Sequence, residues 1–268
     1  MKAISFELSG KTAMFKKPDV NSYLYLTYNN IHKPALLGLL GAVIGLGGYN
    51  QLHTQKELLK EKIKGLKGKE KKSLQEKLDA LNQKFPEFYE KLKELKVSIT
   101  PLAPHGYFSK KVQVFNNSVG YASKEMGGNL IVREQWLEKP KWQILILEDE
   151  SGEYAKIKEY LLNKKSVYVP YLGKNDHPAK IDDAKEVALD EVYLEEGNYM
   201  DSLFIKNEEI TGYEKEDEMP FIFQEVSPIS LQEEFHFYEY KTLCFSNQEL
   251  DAMPQDSYAL NQKNYSFF

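Results

Sequence analysis

Period-two apolar strands near the N-terminus, a lysine-rich helical block over residues 51–96 and a strand-rich stretch after about residue 187 predict an α+β fold. The chain has 268 residues, 42% hydrophobic and 28% charged, with 18 Tyr and 14 Phe; this excludes a disordered, collagen-like or disulfide-scaffold protein. Ile4, Phe6 and Leu8 share one face of the first strand, with Ser5 and Glu7 opposite, so that strand is expected to be half-buried. Gly10 breaks it, and Phe15-Lys16-Lys17-Pro18 reads as a basic loop before a second short strand over Tyr23–Thr27.

Pro34 suits the first residue of a helix, where its missing N–H costs nothing. The helix it opens is apolar nearly all round, and Gly38, Gly41 and Gly45 share one of its faces, which predicts close approach of a strand or second helix. Gly47-Gly48 is expected to supply the left-handed stop. Leucines spaced three and four apart then give two or three amphipathic helices through residues 51–96, carrying 13 Lys against 8 acidic residues. These lysines read as a solvated face or, alternatively, as the border of an RNA or DNA path.

From Val97 the period returns to two. Val97–Ile99 is a strand; Leu130–Trp136 and Trp142–Glu148 read as a hairpin around Glu138-Lys-Pro-Lys141; residues 105–129 form an excursion between them. Glu153–Asn163 is helical, and Val167–Leu172 is a strand with Pro170 marking an edge or bulge. Short strands over Val187–Leu194, Phe221–Val226 and Phe235–Phe245 follow, then a polar tail with scattered aromatics. The expected organisation is a domain over residues 1–186 and an acidic β-rich region over 187–268.

Charge divides along the same line. Residues 1–147 carry 24 Lys and Arg against 13 Asp and Glu, a net +11, whereas residues 148–268 carry 11 against 27, a net −16. Such asymmetry points to a polyanion on one side and a different partner on the other, or to a large dipole that serves solubility. The single Cys244 excludes an internal disulfide and any two-thiolate zinc site, and the 14-residue apolar run Ala35–Gly48 falls short of the ~20 a membrane helix needs. The expectation is a soluble, cytoplasmic protein with no cofactor, no metal and no membrane contact.

Motifs for catalysis are absent. The glycines from Gly41 to Gly48 lie inside and after a helix, so they cannot present a helix N-terminus to a pyrophosphate, and no GxxxxGK[ST] or HExxH occurs. Two features do carry chemistry. His32-Lys33 precede the glycine-faced helix and read either as an anion site at its N-terminus or as an ordinary cap. The 105–129 excursion interleaves Tyr107, Phe108, Phe115 and Tyr121 with Lys110, Lys111 and Lys124, and single-stranded RNA needs such cations for phosphates and such rings for unstacked bases. A core hairpin is the alternative. Strand alternation puts Lys111, Gln113 and Phe115 on one face, with Val112 and Val114 on the other.

Together, the N-terminal strand with Gly10 and Phe15-x-x-Pro18, and the stretch Thr27–Leu46, resemble the fifth Cas family of type I CRISPR–Cas systems. The Leu-Gly-Ala-x-x-Gly helix and Pro170-Tyr-Leu-Gly173-Lys-Asn-Asp-His177 are similar to its subtype I-B branch; the resemblance covers most of residues 1–185 and is loose in the helical insertion and the acidic region. It implies a RAMP-superfamily, ferredoxin-like (RRM-related) domain with a β-hairpin thumb, which residues 105–129 would supply. It also implies a non-catalytic Cascade subunit in antiviral defence that holds the 5′ handle of the guide RNA (crRNA). Its partners would be the backbone subunit, the large subunit and the motif flanking target DNA. On this reading the RNA-binding set is Lys16, Lys17, His32, Lys33, Tyr107, Phe108, Lys110, Lys111, Phe115, Tyr121, Lys124 and Arg133. The alternative function is a metal-independent endoribonuclease, as in the subtype I-C branch, for which His105, Tyr107 and Lys110 are the one close cluster; a third is an unrelated protein-binding module.

Overall fold

The computed structural model describes residues 1–20, 22–117, 130–195, 197–206 and 219–268. In chain order, β1 (Lys2–Ser9) and β2 (Thr12–Ala13) lead to four helices, α1 (Lys33–Ile44), α2 (Tyr49–Ile63), α3 (Lys69–Asn82) and α4 (Glu87–Leu92). Next come β3 (Val97–Pro101), β4 (Lys110–Asn117), β5 (Leu130–Glu138), β6 (Lys141–Leu147), α5 (Gly152–Leu162) and β7 (Lys180–Ala188). Five strands close the chain: β8 (Phe204–Ile205), β9 (Ile222–Leu231), β10 (Tyr238–Ser246), β11 (Ser257–Leu260) and β12 (Lys263–Ser266).

A four-stranded sheet in the order β3-β6-β1-β7, antiparallel at every pairing, organises these elements. With α1 between its first two strands and α5 between its last two, the path is β-α-β-β-α-β and the first strand lies inside the sheet. This is the ferredoxin-like arrangement within an α+β fold. Leu36, Leu37, Leu40 and Val43 of α1 and Ile157 of α5 cover one face together with Ile4, Phe6 and Leu8. Burial of such side chains is the main driving force, at about 25 cal/mol per Å² of apolar surface. β1 is buried on both faces, not one: Ser5 is enclosed, and Ala3, Leu145 and Leu147 pack under Tyr265 of the C-terminal hairpin β11–β12 and Phe267 just beyond it. The tail read as polar is therefore the sheet's second layer, and Phe268 and Val97 exchange two backbone hydrogen bonds of 3.1 Å.

α1 shows what its glycines are for. A Cβ on Gly38 would stand 3.7 Å from the Phe88 ring of α4, and one on Gly41 would stand 2.6 Å from the Phe88 Cβ, so a helix packs directly on the smooth face. The left-handed stop falls at Gly45 (φ 84°), not at Gly47-Gly48. Residues 167–172, expected as a strand, are none. The N–H groups of Val167 and Tyr168 donate to the Val43 and Ala42 carbonyls at the end of α1, and Tyr171 makes a single bridge to Pro178. Tyr23–Thr27 likewise contributes only isolated bridges, Tyr25 to Glu134 and Thr27 to Lys16.

β5 and β6 do not pair with each other. β5 joins β4 and β2 in a separate three-stranded sheet, and Lys139 (φ 46°) with buried Pro140 turns the chain from that sheet into the central one. The β4–β5 hairpin thus projects between the second and third strands of the central sheet. Residues 51–96 form three helices, as spacing predicts, with Leu52 and Leu78 the buried residues of α2 and α3. The C-terminal strands differ from expectation at their ends. Of the strand expected over Val187–Leu194 only Val187 and Ala188 belong to one, the end of β7, and residues 232–237 form the turn between β9 and β10. Leu203, Leu231 and Leu243 from this region enter the main core, and the Leu231 N–H donates to the Tyr89 hydroxyl at 2.6 Å. Among the described residues, no helix is long and apolar enough to cross a membrane.

Candidate nucleic-acid interface

The β4–β5 hairpin separates its side chains by parity, because opposite residues of an antiparallel pair share a face. Lys111 faces Trp136, Gln113 faces Glu134 and Phe115 faces Val132 on one side. Lys110, Val112 and Val114 face Leu137, Gln135 and Arg133 on the other. Lys110 and Lys111 therefore serve opposite faces.

On the first face the aromatics and cations interleave. Lys111 Nζ lies 5.6 Å from the Trp136 ring centroid, Phe115 meets Trp136 at 5.5 Å, and Lys174 Nζ lies 5.9 Å over Phe115. Phe115 is half-buried, so part of its side chain stays open to solvent. Beneath these groups, buried Glu134 accepts from Lys174 Nζ at 2.7 and 2.9 Å and from Trp136 Nε1 at 2.9 Å. That carboxylate orients both side chains and offsets part of the lysine's charge. His177, fully buried, stands edge-on to Trp136 at 4.6 Å, and its Nδ1 is 2.7 Å from the Thr12 hydroxyl. Burial lowers its pKa, so the ring is neutral near pH 7 and anchors the loop. Gly173 (φ 87°) lets that loop lie against the backbone, where a Cβ would sit 1.9 Å from the Met14 carbonyl oxygen.

The other side adjoins the 15–30 loop. Lys16 Nζ lies 4.0 Å over the Tyr25 ring, and Tyr25 is fixed to β5 by hydrogen bonds of 2.9 Å to Arg133 and Gln135. Lys17 sits 4.9 Å over Tyr28 and pairs with Glu225 at 3.1 Å; both Glu225 oxygens also accept the Asn29 N–H at 3.0 and 2.9 Å. Lys17, Tyr28 and Glu225 border a cleft of ≈ 490 Å³ lined also by Asp19 and Tyr240. Lys110 lies 5.2 Å from the exposed Tyr107 ring, and its pKa is lowered by burial, against the opposing field of Glu225.

Two of the residues expected to bind RNA are withdrawn by burial. His32 is 4% exposed and is the N-cap of α1: its Nδ1 accepts the Ala35 N–H at 3.2 Å, and its ring meets Phe15, Tyr28 and Tyr238 edge-on. This is the ordinary cap, and the α1 N-terminus offers no open anion site. Phe108 is 4% exposed and packs on Trp142 at 5.1 Å, so its ring has no free face. Lys33 is half-buried with Glu94 and Lys96 as its charged neighbours, apart from the hairpin. His105 turns its ring to Phe221 at 4.7 Å while Tyr107 meets Lys110, so the three-residue cluster divides. Tyr121 and Lys124 lie outside the described residues. Lys16, Lys17, Tyr107, Lys110, Lys111, Phe115 and Arg133 keep solvent access around the hairpin and its base. Sequence reading missed Trp136 and Lys174, because a strand pairing and a loop distant in sequence bring them to Phe115. Among the described residues, no group of three or more His, Cys, Asp or Glu could hold a metal ion.

The fold and hairpin define an α+β protein with a basic, aromatic-faced projection. Comparison with known proteins found no matching family model and no matching curated protein. Among solved structures, the chain is similar to a CRISPR RNA-guided surveillance complex chain at 13% identity and a TM-score of 0.45, covering 95% of each chain. It is also similar to a CRISPR protein from Archaeoglobus fulgidus (11% identity, TM-score 0.44, 99% and 98% covered) and to a Cas protein (12%, 0.39, 92% and 94%).

Proposed function

We propose that this chain is a non-catalytic guide-RNA-binding subunit of a Cascade-type CRISPR assembly, of the fifth Cas family and its subtype I-B branch. The observation that carries the reading is the run Lys111, Trp136, Phe115 and Lys174 along one face of a hairpin that projects from a ferredoxin-like sheet. Cations beside ring faces suit phosphates and unstacked bases of a single strand. The Thr27–Leu46 stretch adds the sequence resemblance, and the acidic C-terminal residues would face lysine-rich neighbouring subunits. The 5′ handle of the guide RNA is the ligand this reading assigns to the hairpin.

One observation favours the endoribonuclease alternative: Lys110, with its pKa lowered by burial, lies against Tyr107, and a lysine brought nearer neutrality is a better proton donor. A single assay separates the two. Incubated with repeat RNA in EDTA, the protein is expected to bind the repeat and leave it intact. Cleavage at one site, abolished by Tyr107→Phe or Lys110→Ala, would replace the binding-only reading; absence of any repeat-RNA affinity at low salt would end both.

A further inference from the structure

Beyond the β4–β5 hairpin, the strongest concentration of positive charge lies on the α2–α3 pair. Residues 60–72 hold seven lysines against two glutamates, in a chain whose formal net charge is −5. All seven are exposed. Lys60 pairs with Glu57 at 2.7 Å, whereas Lys62, Lys64, Lys67, Lys69, Lys71 and Lys72 have no ion pair among the described residues. The pair is rooted at its base, where Tyr49 contacts His236 and Leu52 and Leu78 are buried. The 15 residues of α2 carry its far end about 22 Å along the helix axis. The lysines cluster at that far end and the turn beyond it.

Helix electrostatics account for only part of the cluster. Lys60 and Lys62 stand in the last turn of α2, where cations complement the macrodipole. Lys69, Lys71 and Lys72 crowd the opening turn of α3, where the dipole and their mutual repulsion both oppose them. Solubility would be served by charges of mixed sign spread over the surface. A set of unpaired, like-signed, flexible charges placed against the helix's own field fits an external polyanion.

We propose that the lysine-rich end of the α2–α3 pair is a nucleic-acid contact that grips the phosphate backbone of a duplex without reading its sequence. Lysine meets phosphate as a point charge and lacks the planar fork by which arginine reads a base edge. Residues 54–84 contain no Phe, Tyr or Trp, so the site has no stacking platform for a single strand. Exposed base faces would gain nothing here, whereas a duplex keeps its base faces stacked inside and carries its phosphates along the outside. The site is independent of the RNA assigned to the β4–β5 hairpin.

The test measures binding of a fluorescent mixed-sequence DNA duplex by anisotropy across a sodium chloride series, with the intact protein and two triple variants read separately. One variant is Lys62→Gln/Lys64→Gln/Lys67→Gln, the other Lys69→Gln/Lys71→Gln/Lys72→Gln; glutamine keeps helix propensity, and circular dichroism checks the fold. Wild type is expected to bind two unrelated duplexes equally. Each triple variant should lower the salt slope by about 1 to 3, at about 0.9 for every phosphate no longer neutralised. No duplex binding at low salt, a slope untouched by either variant, or a preference between the two duplexes would overturn the proposal.

Discussion

Gly41 of α1 and Phe88 of α4 meet where no side chain fits between them: a Cβ on Gly41 would be 2.6 Å from the Phe88 Cβ. The obstruction is the first carbon of the Phe88 side chain, which moves only with its backbone. Gly41→Ala is therefore expected to destabilise the fold by about 1–3 kcal/mol through overpacking, and Gly41→Leu by more. Gly38→Ala, with 3.7 Å available, should be tolerated far better. Equal melting temperatures for the two alanine variants would show that the helices separate freely.

The two lysines that begin β4 should behave as separate contacts, since they occupy opposite faces. Lys110→Gln and Lys111→Gln are each expected to lower the salt slope of single-stranded RNA binding by about 0.7, and the double variant by the sum. Phe115→Ala should weaken the same RNA by about 1–3 kcal/mol with an unaltered slope, as removal of a stacking face does. If Phe115→Ala instead shifts the slope, its ring is acting through Lys174 rather than on a base.

Acid should unfold the protein partly through His32. Burial takes its pKa from the usual 6.5 down to about 3, so the folded state binds its proton less readily than the unfolded chain does. The sign follows: this contribution is fully present above pH 6.5 and is lost as pH falls from there towards 3. His177 and His236, both lowered by burial, add in the same direction. His32→Asn keeps an acceptor for the Ala35 N–H while removing the titration, so its melting temperature should fall less steeply below pH 6.5. Parallel curves for the variant and wild type would rule His32 out as the group responsible.

Cys244 is 3% exposed, and burial pushes its thiol up to about 11. Since the thiolate is the reactive form, the native protein should react with Ellman's reagent far more slowly than the unfolded chain. Prompt stoichiometric labelling at pH 7 would mean that β8 opens from β10 in the native state.

Local periodicity made β1, β3, the amphipathic helices and the alternation of β4 legible, because each is set by neighbours within a few residues. What failed depends on contacts distant in sequence. β5 and β6 look like a hairpin, yet Lys139 and Pro140 turn the chain into another sheet, and only the register of Lys111 with Trp136 shows where β5 belongs. His32 before Pro34 is compatible with an anion site or a cap. The decision comes from Phe15, Tyr28 and Tyr238 closing around its ring. Trp136 and Lys174 join Phe115 for the same reason: a strand pairing and a loop bring them together, and neither leaves a local pattern.

β1 lies inside the central sheet, and both its partners are made late: β6 spans residues 141–147 and β7 spans residues 180–188. At ~5–20 residues per second of synthesis, Ile4, Phe6 and Leu8 wait roughly 10–35 s before the second edge of their strand can be covered. An apolar strand with an unpaired edge is an aggregation template throughout that interval. Soluble yield should therefore respond to translation speed and to chaperone supply, and slow codons placed before β7 would lower it by prolonging the exposure.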